Sequence, residues 1–372
     1  MDGCPWISQD GKEMWFTRLE GAPNLYRSRK VDGEWTESEL MIRNLAGEAS
    51  LDNQGNVYFT HHYYDDEGNM LESDIYVAYR KQLKKGVSLS PKSSQDEDFL
   101  DFFDEAKDTG EIVMWAGDWY DLGKMGGGGP RGLTELASVY NYTPLVEATI
   151  HFRGELIRPL NETVKLYYKN SVVTFAEEYK PEYLGLGIEV NSVYLKSVED
   201  FEEFIPFYNE VYDAVKAVSS GTKVFTVFQL ERMKGLTLWE IAEGEPHWEL
   251  IDKFKTDLVA FTTYPGLYYR DPSEIPDDHY TEIKNYTMKP IAFTEIGWHS
   301  AASPVGWESS DQEQSEFVQL FFELTVELDK EIVIWSFMYD NPDIIEPFNS
   351  MGSRRSDGTA RPAWEAWLQG GL

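Results

Sequence analysis

From residue 86 to residue 372 the chain repeats one pattern, in which a short apolar stretch is followed by a longer segment with helical spacing. Such alternation predicts βα units, whose strands form a parallel sheet that the helices cover. The predicted strands are 87–91, 112–119, 145–152, 183–191, 224–229, 258–264, 291–298 and 332–339. The predicted helices are 96–107, 132–140, 162–179, 198–218, 247–254, 279–286, 312–328 and 362–368. Eight such units predict an α/β fold, the (β/α)8 TIM barrel.

A doubly wound open sheet is the alternative fold with the same alternation. A dinucleotide-binding sheet of that kind carries a GxGxxG sequence at the start of a helix, and none opens a helix here. The glycine run 126–129 is followed by Pro130, whereas a phosphate loop continues with Lys and Ser or Thr. The residues therefore favour the closed barrel.

Residues 1–80 have a different pattern, in which short aromatic strands are separated by Asp, Asn and Gly turns. Gly11 and Gly55 mark two such turns 44 residues apart, which is about the length of one four-stranded propeller blade. The segment resembles the repeats of WD40-like, TolB-type β-propellers, and this implies a small all-β, propeller-blade-like domain before the barrel. Because two blades cannot close a propeller, we expect the chain to start inside a longer protein. The other interpretation is a small antiparallel sheet packed on the barrel.

The charge balance argues against two classes of partner. The chain has 65 acidic and 33 basic residues, a formal net charge of -32, which repels phosphate backbones and anionic lipid. No apolar run approaches the roughly 18 residues of a membrane span. We therefore expect a soluble monomer that binds a neutral substrate, and neither nucleic acid nor a membrane.

The sequence predicts no metal and no cofactor. Cys4 is the single cysteine, so an intrachain disulfide and a cysteine metal site are both excluded. The six histidines show no HExxH or similar spacing. The first residues lack the basic and apolar regions of a signal peptide. An extracellular or periplasmic origin is expected only if residues are missing before Met1.

Two glutamates lie where a barrel of this kind has its chemistry, at the carboxyl ends of strands. In predicted strand four, strict alternation turns Leu184, Leu186 and Ile188 towards the helices and Glu189 towards the lumen. Glu295 ends an otherwise apolar strand seven. An ionised carboxylate in such a place needs a partner or a chemical task.

Strands four and seven lie on opposite sides of an eight-stranded barrel, so their terminal carboxylates face each other across the pocket. Two carboxyl groups about 5 Å apart can act as a nucleophile and as an acid that later becomes a base. The alternative for either glutamate is a salt bridge with a barrel Lys or Arg.

Three motifs carry a family resemblance over the barrel segment. Thr-Glu-Ile-Gly-Trp (294–298) is similar to the nucleophile motif of endo-β-1,4-galactanases and β-1,3-glucanases, and Gly-Ile-Glu-Val-Asn (187–191) resembles their acid/base motif. The ending Asp-Gly-Thr-Ala-Arg-Pro-Ala-Trp (357–364) resembles that of several relatives. The chain thus resembles glycoside hydrolase clan A, the TIM-barrel retaining β-glycosidases. The resemblance implies that Glu189 is the acid/base, Glu295 the nucleophile, and a β-linked poly- or oligosaccharide the substrate.

The same resemblance assigns binding roles to other residues. Tyr264 would hydrogen-bond the nucleophile, Trp335 would form the floor of a sugar subsite, and His151 would bind sugar. The remaining candidates for pocket lining are Asn191, Trp119, Asp118, Trp298 and His299. Aromatic faces stack on sugar C–H surfaces, while carboxylates and amides bind hydroxyl groups. Each of these side chains has an alternative role as barrel filling.

One position departs from the family pattern. Clan members usually have Asn directly before the acid/base, where it binds the sugar 2-hydroxyl, and this chain has Ile188. Some families of the clan, the β-mannanase-like ones among them, have another residue there. Ile188 therefore supports a second hypothesis, a non-catalytic carbohydrate-binding protein derived from a glycosidase barrel. A third is another barrel hydrolase or lyase with a carboxylate site.

Overall fold

The computed structural model describes residues 2–20, 22–31, 33–43, 45–52, 55–65, 67–78, 83–93, 96–124, 128–239 and 244–370. The chain divides into two compact units, 1–82 and 83–372. Among the residues described, no helix is both long and apolar enough to cross a membrane.

The N-terminal unit contains two antiparallel sheets. The strands of the larger sheet are Asp2–Ile7, Glu13–Glu20, Ala22–Val31, Glu34–Trp35 and Glu39–Ile42. Those of the smaller sheet are Ala46–Leu51, Val57–Tyr64 and Met70–Ala78. Trp15, Leu25 and Val57 contribute to a small apolar core that draws on both sheets. The antiparallel sheets are consistent with the all-β prediction, and the propeller assignment stays a prediction.

The second unit is built on a parallel sheet of nine strand segments. In barrel order these are Lys84–Ser88, Ile112–Asp118, Thr143–Thr149, Tyr183–Leu186, Lys223–Phe225, Val227–Gln229, Val259–Thr263, Ile291–Ile296 and Lys330–Trp335. The first strand pairs with the eighth, and the two halves of the fifth strand are separated only by Thr226. The sheet therefore returns on itself, and the prediction of an α/β TIM-like barrel is confirmed.

The barrel closes at Thr226 through an irregular segment instead of a regular ladder. Lys223–Phe225 pairs with the fourth strand, whereas Val227–Gln229 pairs with the sixth. Val227 donates its N–H to the carbonyl oxygen of Gly187 at 3.0 Å, and its own carbonyl accepts from the N–H of Val190 at 3.0 Å. The turn after the fourth strand thus takes the place of the missing strand pairing.

Most predicted helices are present, two of them with the predicted bounds and the others with bounds shifted by a few residues. They are Asp96–Ala106, Pro130–Tyr140, Glu162–Tyr179, Val198–Val218, Asp311–Leu324 and Pro362–Gln369. The predictions of helices at 247–254 and 279–286 were wrong, because those segments form the short 3-10 turns Trp248–Lys253 and Thr281–Asn285. Two short α-helices follow the fourth and fifth strands: Asn191–Lys196 comes after a four-residue turn, and Leu230–Met233 follows its strand directly.

Alternation along the strands separates two apolar layers. Side chains such as Met114, Leu145 and Ala260 fill the lumen, while Val146 and Phe293 pack under the helices. The last helix is tied to the first strand by Lys85, whose ammonium donates to the carbonyl oxygens of Trp367 and Gly370, both at 2.8 Å. The lysine thereby satisfies the unpaired carbonyls that every helix end leaves.

Candidate active site

Glu189 lies on a tight turn just beyond the fourth strand, which ends at Leu186. Gly187 has φ +96, and a Cβ there would lie 2.7 Å from Cγ1 of Val190. Glu189 itself has φ 49, a left-handed conformation that costs a non-glycine residue about 1–3 kcal/mol. The turn breaks the strict alternation, so the prediction that Ile188 faces the helices was wrong. Ile188 packs on the lumen cluster instead.

His151 holds this turn from a short hairpin, His151–Phe152 with Glu155–Leu156, that follows the third barrel strand. The prediction that the third strand continues to residue 152 was therefore wrong. Its Nδ1 accepts the N–H of Gly154 at 3.0 Å, so the proton is on Nε2. Nε2 lies 2.5 Å from the carbonyl oxygen of Ile188 and 3.1 Å from that of Glu189. Burial lowers the pKa of His151, which keeps the ring neutral. The side chain predicted to bind sugar thus contacts the backbone that carries Glu189.

Tyr264 directly follows the sixth strand and donates its hydroxyl hydrogen to Oε2 of Glu295 at 2.5 Å. The Ser336 hydroxyl lies 2.9 Å from the same tyrosine oxygen. Two residues earlier, Thr262 donates to Oε1 of Glu189 at 2.8 Å. The sixth strand therefore supplies one hydroxyl donor to each of the two glutamates.

The two carboxyl groups interact electrostatically. Burial, followed by the negative charge of Glu189, raises the pKa of Glu295 to about 7, although the Tyr264 hydrogen bond opposes this rise. Burial and the Glu295 charge also raise the pKa of Tyr264 well above its usual range, so the tyrosine remains a donor. Near pH 7 the carboxyl group of Glu295 is therefore about half protonated.

A cleft of about 1070 Å³ opens beside Glu295. It spreads over the carboxyl ends of the eighth, first and second strands, and its volume is near the upper end of the usual range for ligand sites. Its lining combines aromatic, hydroxyl, amide and charged groups, namely Ser88, Leu89, Ser90, Pro91, Lys92, Ser93, Phe99, Met114, Trp115, Ala116, Gly128, Glu295, Ser336, Phe337, Asn341 and Asp343.

Behind Tyr264 lies a buried polar network centred on Glu231, which is fully buried. Its carboxylate accepts from the Thr263 hydroxyl at 2.6 Å and from the Tyr264 N–H at 3.4 Å. Nε2 of the buried His279 lies 3.3 Å from the same group. The network fixes the end of the sixth strand and so the direction of the tyrosine.

Asp118 and Trp119 lie together at the end of the second strand. Both carboxylate oxygens of Asp118 accept from the Arg158 guanidinium at 2.8 Å. Burial opposes ionisation, but the Arg158 hydrogen bonds and charge lower the pKa of Asp118 overall. Trp119 is buried beneath Arg158, whose guanidinium lies 5.2 Å from the ring. The structure does not bring these two side chains into the lining of the cleft.

The other four candidates are also buried and bonded to the scaffold. Trp335 packs in the layer under the helices, and its indole N–H donates to the carbonyl of Met351 at 3.1 Å. Trp298 stacks on Phe317 at 5.2 Å. The ring nitrogens of His299 lie 2.6 and 3.1 Å from backbone carbonyl oxygens, and the Asn191 amide is paired with the backbone of Gln229. Of the predicted residues, the structure brings Glu189, Glu295, Tyr264 and His151 together.

Several residues of the site were missed from the sequence. Thr262 and Ser336 are hydroxyl residues at or just beyond strand ends, and Phe337 is an aromatic side chain just beyond the eighth strand that lines the cleft. Glu147 is a carboxyl group within an otherwise apolar stretch, which was a readable signal. In the described part of the chain no group of His, Cys, Asp and Glu side chains could hold a metal ion.

The comparisons with known proteins find a shared fold. No protein-family model matches the chain, and no curated protein matches it. A family 39 glycoside hydrolase from Bacteroides cellulosilyticus WH2 is similar with a TM-score of 0.55 and 15% identity, over 99% of this chain and 79% of that one. GH5_18 from Bifidobacterium longum subsp. longum is similar with a TM-score of 0.55 and 14% identity, over 77% of this chain and 78% of that one. A Bacteroides uniformis beta-glucuronidase is similar with a TM-score of 0.57 and 11% identity, over 99% of this chain, which spans 49% of that protein's length.

Proposed function

We propose that the chain is a retaining glycoside hydrolase that cleaves a β-linked poly- or oligosaccharide, with Glu295 as nucleophile and Glu189 as acid/base. One observation carries the proposal: Tyr264 donates to Glu295 at 2.5 Å, while the charge of Glu189 acts on the same carboxyl group beside an open cleft. The glycoside hydrolases that share the fold support the assignment.

The two glutamates have different surroundings, which fit different roles. Glu295 is half-buried, lines the cleft, and has one oxygen fixed by Tyr264, which leaves its other oxygen to attack a sugar. Glu189 lies on a turn held by His151 and has one oxygen bonded by Thr262, which leaves the other for proton transfer. It does not line the cleft, an observation that favours the binding protein considered below. A nucleophile must point at the anomeric carbon, whereas an acid/base needs to reach the leaving oxygen and later a water molecule.

In the first step an oxygen of Glu295 attacks the anomeric carbon, and the bond from that carbon to the leaving oxygen breaks. Glu189 transfers its proton to the leaving oxygen, so the products are the released sugar or alcohol and a glycosyl ester on Glu295. The Tyr264 hydrogen bond stabilises the Glu295 anion before attack and releases part of that stabilisation as the charge disappears.

In the second step Glu189 accepts a proton from water, whose oxygen attacks the anomeric carbon. The ester bond to Glu295 breaks, the carboxylate regains its charge, and Glu189 holds a proton again. Two displacements retain the configuration of the anomeric carbon. This route requires the two carboxyl groups to lie about 5–5.5 Å apart, because a longer separation would leave room for a direct attack by water.

The cleft and the surface charge favour a neutral substrate. Phe99, Trp115 and Phe337 offer aromatic surface, and Ser90 and Asn341 offer groups that bind hydroxyls. The net charge of -32 disfavours a polyanion.

A binding protein without turnover is the second candidate. Ile188 occupies the place of the asparagine that clan members use for the 2-hydroxyl, and it packs into the lumen cluster. Such a protein would bind oligosaccharides through the same cleft and leave them intact.

The decisive experiment traps the glycosyl ester. The protein is incubated with a panel of 2-deoxy-2-fluoro β-glycosides carrying activated leaving groups and then digested for mass spectrometry. We expect a sugar adduct on the peptide that contains Glu295, and none after Glu295→Gln. Binding of oligosaccharides by calorimetry, without an adduct and without hydrolysis, would support the second candidate.

A further inference from the structure

A third carboxyl group lies inside the barrel, beneath the two glutamates. Glu147 belongs to the third strand, Thr143–Thr149, and is fully buried. Its neighbours in the sheet are Ala116 on the second strand and Gly185 on the fourth. Because Leu145, two residues earlier, faces the lumen, Glu147 faces the lumen as well.

The fold makes room for this side chain. A Cβ at Gly185 would lie 2.8 Å from Cγ of Glu147 and 3.0 Å from Cε2 of Phe225. Any larger residue at position 185 would therefore collide with the glutamate stem. Glu147 thus fills a space that the neighbouring strand leaves open.

The carboxyl group of Glu147 has no hydrogen-bond partner among the residues that the structure describes. Neither of its oxygens is hydrogen-bonded, and the Thr294 hydroxyl, which is also buried, has no hydrogen-bond partner either. Thr294 is close enough to influence the ionisation of Glu147, and the charged group that faces it is Glu295 on the seventh strand. Ala116 and Gly185, at the same level on the flanking strands, contribute no charge.

Such surroundings disfavour an anion. An ionised carboxylate buried without a hydrogen bond or a cation is costly, and the group takes up a proton instead. Burial, followed by the negative charge of Glu295, raises the pKa of Glu147 well above its usual range, and the Thr294 hydroxyl only partly opposes this.

We propose that Glu147 is a neutral carboxylic acid that acts as a positioning residue, supporting the nucleophile Glu295 from inside the lumen through Thr294. This role rests on the proposed function. A neutral acid carries an O–H group that can donate to the Thr294 hydroxyl, the residue directly before Glu295 in the chain. It orders the end of the seventh strand without placing a second negative charge beside the nucleophile.

Infrared spectroscopy tests the charge of Glu147 without relying on activity. In the full chain at pH 8.5 we expect a carbonyl band of a protonated carboxylic acid. The band should disappear in Glu147→Gln and persist in Glu295→Gln, which assigns it to Glu147. Absence of the band in the wild type, or its survival in Glu147→Gln, would overturn the proposal. If Glu147→Gln does not fold, a band that disappears in Glu295→Gln would overturn it as well.

The pH profile of kcat/KM tests the positioning role. If Glu147 were charged, it would raise the pKa of Glu295. Removing that charge in Glu147→Gln would then shift the acid limb of the profile to lower pH by about 1 pH unit or more. We expect the limb to stay near pH 7 in Glu147→Gln, since one neutral group replaces another. Glu147→Leu, which cannot donate, should show a lower kcat than Glu147→Gln at a similar KM. Equal kcat values in the two variants would contradict the role.

The two tests separate this inference from the proposed function. A wild-type chain that hydrolyses no glycoside refutes the proposed function and, with it, the role of Glu147 towards a nucleophile. The infrared band would still decide whether the residue is neutral.

Discussion

Nε2 of His151 lies 2.5 Å from the carbonyl oxygen of Ile188, so a histidine just beyond the third strand fixes the backbone that carries Glu189, the proposed acid/base. This hydrogen bond holds a turn whose left-handed residue, Glu189, would otherwise relax to a more favourable conformation. The position of the Glu189 carboxyl group therefore depends on a residue that need not contact the sugar.

Replacing His151 by Ala should lower kcat by about 100-fold with little change in KM, because a displacement near 1 Å of a catalytic group has effects of this size. The measurement is steady-state hydrolysis of an oligosaccharide that requires acid assistance. His62→Ala, which changes a histidine of the N-terminal unit, is the control and should leave kcat unaltered. Full activity of His151→Ala would show that the turn holds its shape without the ring.

The acid limb of kcat/KM should fall near pH 7. Below this pH Glu295 takes up a proton and loses its nucleophilic charge, since its pKa is raised to about 7. Tyr264→Phe removes the hydroxyl that stabilises the anion, so the limb should move to higher pH. If the acid limb of Tyr264→Phe stays at the same pH or moves to lower pH, a group other than Glu295 determines it. An aryl β-glycoside assayed from pH 4 to pH 9 gives both profiles.

Glu295→Gln should stabilise the protein at alkaline pH and not at acid pH. The pKa of Glu295 is raised from 4.5 to about 7, so between these values the folded chain holds a proton that the unfolded chain has lost. The free energy of unfolding therefore falls as the pH rises through this window. Above pH 7 the ionised Glu295 lowers the free energy of unfolding of the wild type by about 2–3 kcal/mol. The lower figure suits a half-buried group better, because solvent screens its charge.

Urea unfolding at pH 4 and pH 8 measures this difference. We expect the free energy of unfolding of Glu295→Gln to exceed that of the wild type by about 2 kcal/mol at pH 8 and to match it at pH 4. Glu316→Gln, on the exposed face of the helix Asp311–Leu324, is the matched control and should show no such gain. A gain of equal size at both pH values would indicate better packing instead of a removed charge.

The two glutamates should differ when each is changed to Ala. Glu295→Ala should abolish turnover of every substrate, whereas Glu189→Ala should retain the first step with activated aryl leaving groups, which need little protonation. Azide can replace water in the second step and should rescue Glu189→Ala with a β-glycosyl azide as product. Equal losses in both variants on all substrates, without azide rescue, would contradict the assignment of roles.

The sequence predicted the barrel because its long helical segments, which alternate with apolar strands, are compatible with few other folds. The helices Glu162–Tyr179 and Val198–Val218 have the predicted bounds, and Asn161 and Ser197 cap their N-termini through hydrogen bonds of 3.0 and 3.2 Å. The segments after the fifth and sixth strands were predicted as helices from apolar spacing alone. They form only short 3-10 turns, which the same spacing also allows.

The candidate site was less accessible to sequence reasoning. Glu189 and Glu295 were proposed because they are carboxyl groups at predicted strand ends, and Tyr264 because of the family resemblance. Alternation failed at Ile188, since it assumes extended backbone up to the last residue, and the left-handed Gly187 and Glu189 end the strand early. Glu231 was missed because it follows a strand within a short helix, where a glutamate usually lies at the surface.

The turn 187–190 also closes the hydrogen-bond ring of the barrel, through the two bonds that join Gly187 and Val190 to Val227. The segment that carries Glu189 is therefore part of the circumference that keeps the eight strands together. A substitution that lets Glu189 leave its left-handed conformation would disturb these two bonds, at the place where the ring lacks a regular strand ladder. Substitutions in the cleft over the eighth, first and second strands can consequently change ligand contacts and leave the barrel closed, whereas at Glu189 loss of shape and loss of stability would coincide.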